Sequence, residues 1–383
     1  MRIVVAPDSF KGSLSAAGAA AAIARGLAAV LPDAEVVTLP MADGGEGTVD
    51  AFLALLGGVR KAVTVGDPFG RPVEAGFGWM PDARLAVIEV AAASGLPLLA
   101  GERLDPLRAS TFGTGQLVRA ALDLGAQAII IGLGGSATVD GGSGFLEALG
   151  ARFLDAGGQP LRGSGGALPR IARVDLAGLD GRLHQVAITS ACDVTNPLLG
   201  PAGAVRVFGP QKGADAEAQD ALEAGMARYA DAVCAAVSRD ARAMAGAGAA
   251  GGLGFALAGV LGADLASGFT LIADLGRLRA VIASADLVVT GEGRLDTQSL
   301  GGKVPVGVAR LAAPAGVPVV AFAGSLAGDV DAFRGEGITL ALPIVDAPMP
   351  LERAMADAEA LLERAASRFA RALALGHGLG RAP

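Results

Sequence analysis

The chain is poor in the residues on which redox, metal and nucleophilic catalysis usually rest. Its two cysteines, Cys192 and Cys234, have no CxxC spacing, which argues against a disulfide framework and a thiolate zinc site. With only His184 and His377, there is no set for a histidine metal centre or a Ser-His-Asp triad. Aromatic residues make up 4% of the chain and no basic block interrupts it, so nucleic acid is not an expected partner. A net charge of −7 still admits an anionic substrate, because the local field inside a cleft outweighs the global sign. No run of about 18 strongly apolar residues exists, and the opening MRIVVAPDSF is too short for a signal peptide. A soluble, cytoplasmic protein with no membrane partner is the expectation.

Lysine is also scarce. Of 31 basic residues only Lys11, Lys61, Lys212 and Lys303 are lysine. Three of them sit in glycine-rich polar stretches: DSFKGS, FGPQKGAD and SLGGKVP. Where arginine is the default, a retained lysine marks a place that wants a compact, mobile ammonium. Lys61, at a strand start, reads as a surface residue, and Lys212, near a helix start, reads as solvated or functional with equal ease.

What the chain has in excess is small and apolar. Hydrophobic residues form 52% of it, mostly Ala, Val and Leu, and the 58 glycines cluster at the ends of hydrophobic runs. That pattern suits helices packed closely on parallel strands and joined by tight turns. RIVVA (residues 2–6) reads as a buried strand, followed by an Ala-rich helix over about 15–30 with Ser15 as N-cap. A second strand at 34–40 and a helix at 47–57 continue the alternation. Residues 60–90 change character, with strands separated by Gly-Pro and Pro-Asp turns, which predicts an antiparallel meander. Strand–helix alternation then resumes, and the strands ADLVVTGEG, PVVAFAGS and ITLALPIV return near the end. A final helix over 351–375 carries Leu351, Met355, Ala358, Leu362, Ala365 and Phe369 at helical spacing. The expected fold is α/β: a Rossmann- or flavodoxin-like parallel-sheet domain (1–60 with 280–383) and a second, inserted α/β domain with a mixed sheet (61–279).

Ligands of parallel sheets gather at the carboxyl ends of the strands. Here those ends carry a consistent mixture: Asp8, Ser9 and Lys11; Asp43 and Glu46; Gly134, Gly135, Ser136, Thr138 and Asp140; Asp193, Thr195 and Asn196; Glu292, Arg294 and Asp296. Glycines let backbone N–H groups approach an anion, whereas carboxylates beside them repel it unless a cation intervenes or one of them takes a proton. Phosphoryl transfer uses that whole set. Each loop taken alone also has a structural reading, as turn glycines or helix N-caps. Walker A is absent, because Gly301-Gly302-Lys303 is followed by Val304 and position 297 is Thr. IIIGLGGSA is a partial dinucleotide fingerprint, which keeps a nicotinamide-linked oxidoreductase of a small hydroxy acid as one alternative and a non-catalytic small-molecule sensor as another.

Eight blocks in order, APDSFKGSLSA, MADGGEGT, EVAAASGL, TFGTGQL, GLGGSATVDGGSGF, CDVTNPLLGPAGAVRVFGPQKGA, GAGAAGGLGFAL and TGEGRLDTQSLGGKVPVGVA, closely resemble the bacterial glycerate kinases of the glyoxylate and galactarate pathways. The likeness runs from residue 1 to about 375. It implies two α/β domains with the active site in the cleft between them, and transfer of phosphate from ATP with Mg²⁺ to D-glycerate, with the 2-phospho product favoured over the 3-phospho one. The expected assembly is a monomer or homodimer.

Residue roles follow from the chemistry. Asp193 is the first choice and Asp43 the second for the carboxylate that takes the hydroxyl proton. Lys11 would offset charge on the transferring phosphoryl group. Arg294, with its planar fork, would hold the glycerate carboxylate, supported by Asp8, Ser9 and Asn196. Gly134, Gly135, Ser136 and Thr138, with Lys303, would bind the nucleotide, and Glu292, Asp296 or Asp140 the metal.

Overall fold

The computed structural model describes residues 1–297, 299–327 and 330–379, with the side chains of Val330, His377 and Leu379 outside that description. Fourteen strands occur among the described residues: β1 (Arg2–Val5), β2 (Glu35–Thr38), β3 (Val59–Gly66), β4 (Pro72–Met80), β5 (Leu85–Glu89), β6 (Ala128–Gly132), β7 (Arg152–Leu154), β8 (Pro160–Leu161), β9 (Arg173–Asp175), β10 (Ala187–Ala191), β11 (Asp264–Ala266), β12 (Leu287–Leu295), β13 (Val319–Leu326) and β14 (Leu340–Pro343). The chain divides into two compact units, 1–43 with 269–383, and 44–268. The division falls at 43/44 and 268/269, whereas the change of sequence pattern had suggested 60 and 280. The helix Thr48–Leu56 accounts for the first difference: it packs on β4 and β5, so it belongs to the inserted unit although it follows β2 in the strand–helix alternation.

The first unit is built on a five-stranded, wholly parallel sheet in the order β14-β13-β12-β1-β2. Counting only this unit's strands in chain order, the arrangement is 2-1-3-4-5, the doubly wound order of flavodoxin-like sheets, with the switch point between β1 and β12. Its core joins Ile3, Val5, Ile23, Leu27, Val289 and Phe322 to Leu361, Leu362 and Ala366. The helix Ala16–Ala28 starts on Ser15, whose hydroxyl accepts from Gly18 N–H at 3.1 Å. It lies against the helix Ala358–Leu379 so closely that a Cβ on Gly26 would stand 2.3 Å from the Glu363 carbonyl oxygen. The periodicity read as one C-terminal helix is in fact two, Leu351–Ala356 and Ala358–Leu379, separated at Asp357. Ala358, Leu362 and Ala365 are buried in the core as expected, but Leu351 is 74% and Met355 36% exposed. The short helix therefore carries Leu351 and Met355 away from the core, while Ala354 still packs on it.

The second unit has a six-stranded mixed sheet in the order β11-β10-β6-β5-β4-β3. β3, β4 and β5 form the antiparallel meander, while β5, β6, β10 and β11 run parallel. A small antiparallel sheet, β8-β7-β9, had no clear sequence signal. Phe77, Phe145, Phe153, Tyr229 and Phe255 anchor this unit's core. Ring contacts link Phe153 to Tyr229 and Tyr229 to Phe255. No described helix is long and apolar enough to cross a membrane.

Candidate active site

In the first unit the strand order reverses between β1 and β12, and the two loops that leave this point carry the chemistry. The parallel ladder continues past the strand ends: Ala6 N–H donates to Val289 O and Asp8 N–H to Gly291 O, both at 2.8 Å. The Thr290 hydroxyl closes the pairing with a bond to Ala6 O at 2.8 Å. Asp8 is therefore held rigidly beside Gly291 and Glu292. The chain then makes a tight reversal in which Phe10 pairs with Leu14 and Gly12 adopts a φ of +77°, which leaves Lys11 half exposed at the tip. The loop after β2 is tied in by a bond from Met41 N–H to Pro7 O at 2.9 Å, which brings Asp43 to 3.2 Å from Lys11 Nζ.

The electrostatics of this cluster work against stability. Asp8 is 1% exposed, and burial, with the Asp43 charge beside it, pushes its carboxyl well above the usual carboxylate range. Glu292 is raised mainly by burial, although it accepts a 2.5 Å hydrogen bond from Ser299 Oγ and feels Lys303 and Lys11. For Lys11, desolvation pulls downward but Asp43, Asp8 and Glu292 outweigh it, so the ammonium is held charged. A half-exposed ion pair such as Lys11–Asp43 contributes at most about 1 kcal/mol to folding. Three carboxylates around one ammonium make a site arranged for a ligand that brings further charge.

Lys11, Glu292, Arg294, Asp296 and Lys303 line one cavity of about 620 Å³ in this unit, together with Ser9. Ser9 is 5% exposed and its hydroxyl has no hydrogen-bond partner among the described residues. Arg294 is mostly exposed and pairs with Asp296 at 3.1 Å. Lys303 stands at the N-terminal boundary of the helix Val304–Ala312.

In the second unit the structure separates the loop after β6 into parts with different duties. Gly134 N–H is already given to Gly44 O at 3.1 Å, and a Cβ there would lie 2.5 Å from Gly45 Cα. Its glycine serves packing, so its N–H is not part of an anion cradle. Thr138 is fully buried; its carbonyl accepts from Lys212 Nζ at 2.8 Å, and its hydroxyl has no hydrogen-bond partner among the described residues. Asp140 is likewise no metal ligand. It is fully buried and accepts from Thr111 N–H, Thr111 Oγ1, Gly142 N–H and Gly144 N–H at 2.7–3.2 Å, which saturates it as the knot of the loop. Gly135 and Ser136 differ. They are held by bonds from Leu96 N–H to Gly135 O and Ala137 N–H to Ser94 O, and among the described residues their own N–H groups donate to nothing. Gly135 has a φ of +73° and is exposed. Two successive N–H groups in such a turn make a small anion-binding concavity.

Behind that turn stands the residue that sequence reading left open. Lys212 is 2% exposed, not solvated, and its Nζ donates to Ser136 Oγ at 2.7 Å as well as to Thr138 O. Burial pulls its pKa down to about 7, with the Asp140 charge opposing. The scarcity of lysine was the signal that pointed to it; nothing local in PQKG distinguished a buried ammonium from a surface one. Asp193 follows β10, half-buried, with its Oδ1 anchored by Gly268 N–H at 3.0 Å. Asn196 Nδ2 is bound to Ala202 O at 2.8 Å, so it shapes its own loop. The Cys192 thiol is pushed up to about 11 by burial and is inert.

The model of the glycerate kinase family matches residues 3–374. The chain is 48% identical over 375 residues to a glycerate kinase of Bacillus subtilis (strain 168), covering 98% of each chain. It is 45% identical over 376 residues to a glycerate 2-kinase of Escherichia coli (strain K12), covering 98% of this chain and 99% of the relative. A solved structure assigned as glycerate kinase 2 from Salmonella typhimurium LT2 superposes with a TM-score of 0.86 at 45% identity, over 99% of both chains.

Two stability measurements follow from the buried charges. Because the folded-state pKa of Asp8 is raised, the wild type loses stability as pH rises from the unfolded carboxylate value of about 3.9 through the folded one. Asp8→Asn should therefore melt higher than wild type at pH 7.5, with the gain shrinking toward pH 4; an equal or lower melting temperature at pH 7.5 would contradict the burial cost. Lys212 has the opposite sign. Its penalty is complete below about pH 7 and is relieved as pH rises from there toward the ordinary lysine value. Urea unfolding of wild type and Lys212→Met should show a stability difference that moves in favour of the wild type between pH 6.5 and 9.5, and a constant difference would refute it.

Proposed function

The chain belongs to the glycerate kinase family, whose members are phosphotransferases with an alcohol acceptor, and on that premise we propose that it transfers the γ-phosphoryl group of ATP to the 2-hydroxyl of D-glycerate in the cytoplasm. The observation that carries this reading is the reversal point of the first unit's sheet, where Asp8, Lys11, Asp43 and Glu292 converge. The 45% identical relative named glycerate 2-kinase favours the 2-position. The oxidoreductase alternative falls with the family assignment, and its fingerprint glycine Gly134 has its N–H committed to Gly44. The sensor alternative falls likewise.

Mg²⁺ is expected with the nucleotide, and the residues fit it. Among the described residues no three His, Cys, Asp or Glu side chains stand together as a preassembled metal cage. That suits Mg²⁺, which is usually held by one or two carboxylates and the substrate phosphates. Glu292 and Asp8 are the residues that would hold it, and Asp296, which lines the same cavity as Glu292, would support a bound water. When bound, the ion spreads and neutralises charge across the phosphate oxygens.

The remaining roles belong to the protein. Lys11, on a tip with room to move and charged because three carboxylates surround it, would follow the phosphoryl group and offset charge as the bond to the leaving oxygen lengthens. Asp43 keeps that ammonium aimed. Asp193, with one oxygen anchored by the Gly268 N–H, is the first choice to accept the hydroxyl proton, and Asp43 the second. Arg294 offers a planar fork for the glycerate carboxylate. In the second unit Gly135 and Ser136, backed by Lys212, would form a small cradle for an anion.

Phosphorus NMR of the products tests the reaction itself. The expected result is the 2-phosphoglycerate resonance, with ATP consumed only when glycerate is present. A 3-phosphoglycerate resonance would overturn the position, and no glycerate-dependent consumption would overturn the reaction. Lys11→Arg should lower kcat about 10²-fold while the glycerate KM moves little, since the loss is felt in the transition state. A kcat at the wild-type level in that variant would remove Lys11 from the chemistry.

A further inference from the structure

We propose that the cavity of about 620 Å³ in the first unit is the nucleoside triphosphate site, with one wall built for the base and ribose and the other for the phosphates. This rests on the kinase reading above and goes beyond it by naming where the nucleotide sits. Three observations carry it.

The first is size and polarity. Glycerate is a three-carbon, four-oxygen anion with almost no apolar surface, so a cavity within the ordinary range of about 300–1,000 Å³ for cofactor-sized ligands is far too large for it alone. One wall of this cavity is apolar: Ile344, Val345, Leu351 and Met355. A small dihydroxy acid has nothing to place against such a wall, whereas a purine and the carbon face of its ribose do.

The second is the arrangement of charge. The wall opposite carries Ser9, Lys11, Glu292 and Lys303 at the reversal point of the parallel sheet, where open α/β sheets bind nucleotides. The Ser9 hydroxyl is nine-tenths buried, lines the cavity and has no partner among the described residues. A phosphate oxygen is the acceptor that would satisfy it.

The third is the unexplained short helix. Leu351 and Met355 continue the apolar periodicity of the C-terminal helix, yet the break at Asp357 turns them out of the core, 74% and 36% exposed, onto the cavity. Met355 reaches the glycine of the KGS turn, with its Cε 3.1 Å from where a Gly12 Cβ would lie. Leu351, 74% exposed, adds little to folding, and Met355 keeps more than a third of its surface in the open. A base stacked against them would cover that surface and give it a purpose.

Calorimetry on the full chain separates the two walls. Because Leu351 is 74% exposed, Leu351→Asp should keep the wild-type melting temperature, whereas Met355→Asp, at a residue 36% exposed, is compared at a temperature where its fold is intact. Each should weaken ATP binding at least about tenfold, as expected for charging a wall that covers a base, and leave binding of inorganic tripolyphosphate and the glycerate KM within twofold of wild type. ATP affinity unchanged in both variants, with turnover intact, would overturn the site and leave the kinase reading standing. Equal loss of ATP and tripolyphosphate binding would overturn the division into base and phosphate walls. A wild-type chain that neither binds ATP nor turns over glycerate would overturn both readings together.

Discussion

The backbone ladder between β1 and β12 is the constraint on which the first unit's chemistry depends. Two more hydrogen bonds than the strands need, from Ala6 and Asp8, carry the register past Val5 and set Asp8 against Gly291. A carboxylate of that burial would otherwise turn toward water. Held by main-chain bonds, it stays next to Glu292 and within the field of Asp43, and its proton affinity rises as a result. The unit accepts that cost because the ladder is cooperative with the whole parallel sheet, whereas the carboxylates are only three groups at its edge. A site preorganised in this way does not have to assemble its charges when the ligand arrives.

Glycine does two distinct jobs around the loops. At Gly26 and Gly134 it permits contact between elements that a single methyl group would force apart. At Gly12 and Gly135 it supplies a positive φ, in one case to lift Lys11 onto a turn and in the other to point successive N–H groups outward. Composition cannot separate these uses, since both place glycine beside polar residues at the end of a strand. This explains why Gly134, Gly135 and Ser136 look alike as a phosphate loop and yet divide into packing and binding once the Gly44 carbonyl is in place.

Buried polar groups show the same division. Asp140 and Lys212 are both buried to within a few per cent, yet Asp140 is saturated by four donors while Lys212 spends its ammonium on a hydroxyl and one carbonyl. The first organises the loop. The second leaves positive charge behind two unpartnered N–H groups, at a desolvation cost that stability alone would select against. Lys11 and Lys212 thus end in opposite environments, one at an exposed tip and one in the interior, although both are written as lysine in a glycine-rich stretch.

By itself the sequence determined the strand–helix alternation, the parallel sheet of the ends, the meander of residues 60–90, the Ser15 cap and the family, because each depends on local periodicity, turn chemistry or long ordered motifs. It also brought the right loops to notice. Which side chain within a loop faces a ligand was decided only by tertiary structure. The partners of Gly134, Thr138 and Lys212, and the Thr111 that gives Asp140 two of its four bonds, lie tens of residues away, and the break at Asp357 that frees Leu351 and Met355 from the core leaves the apolar repeat intact. Hydrogen-bond saturation and burial are properties of neighbours in space, and no spacing along the chain encodes them.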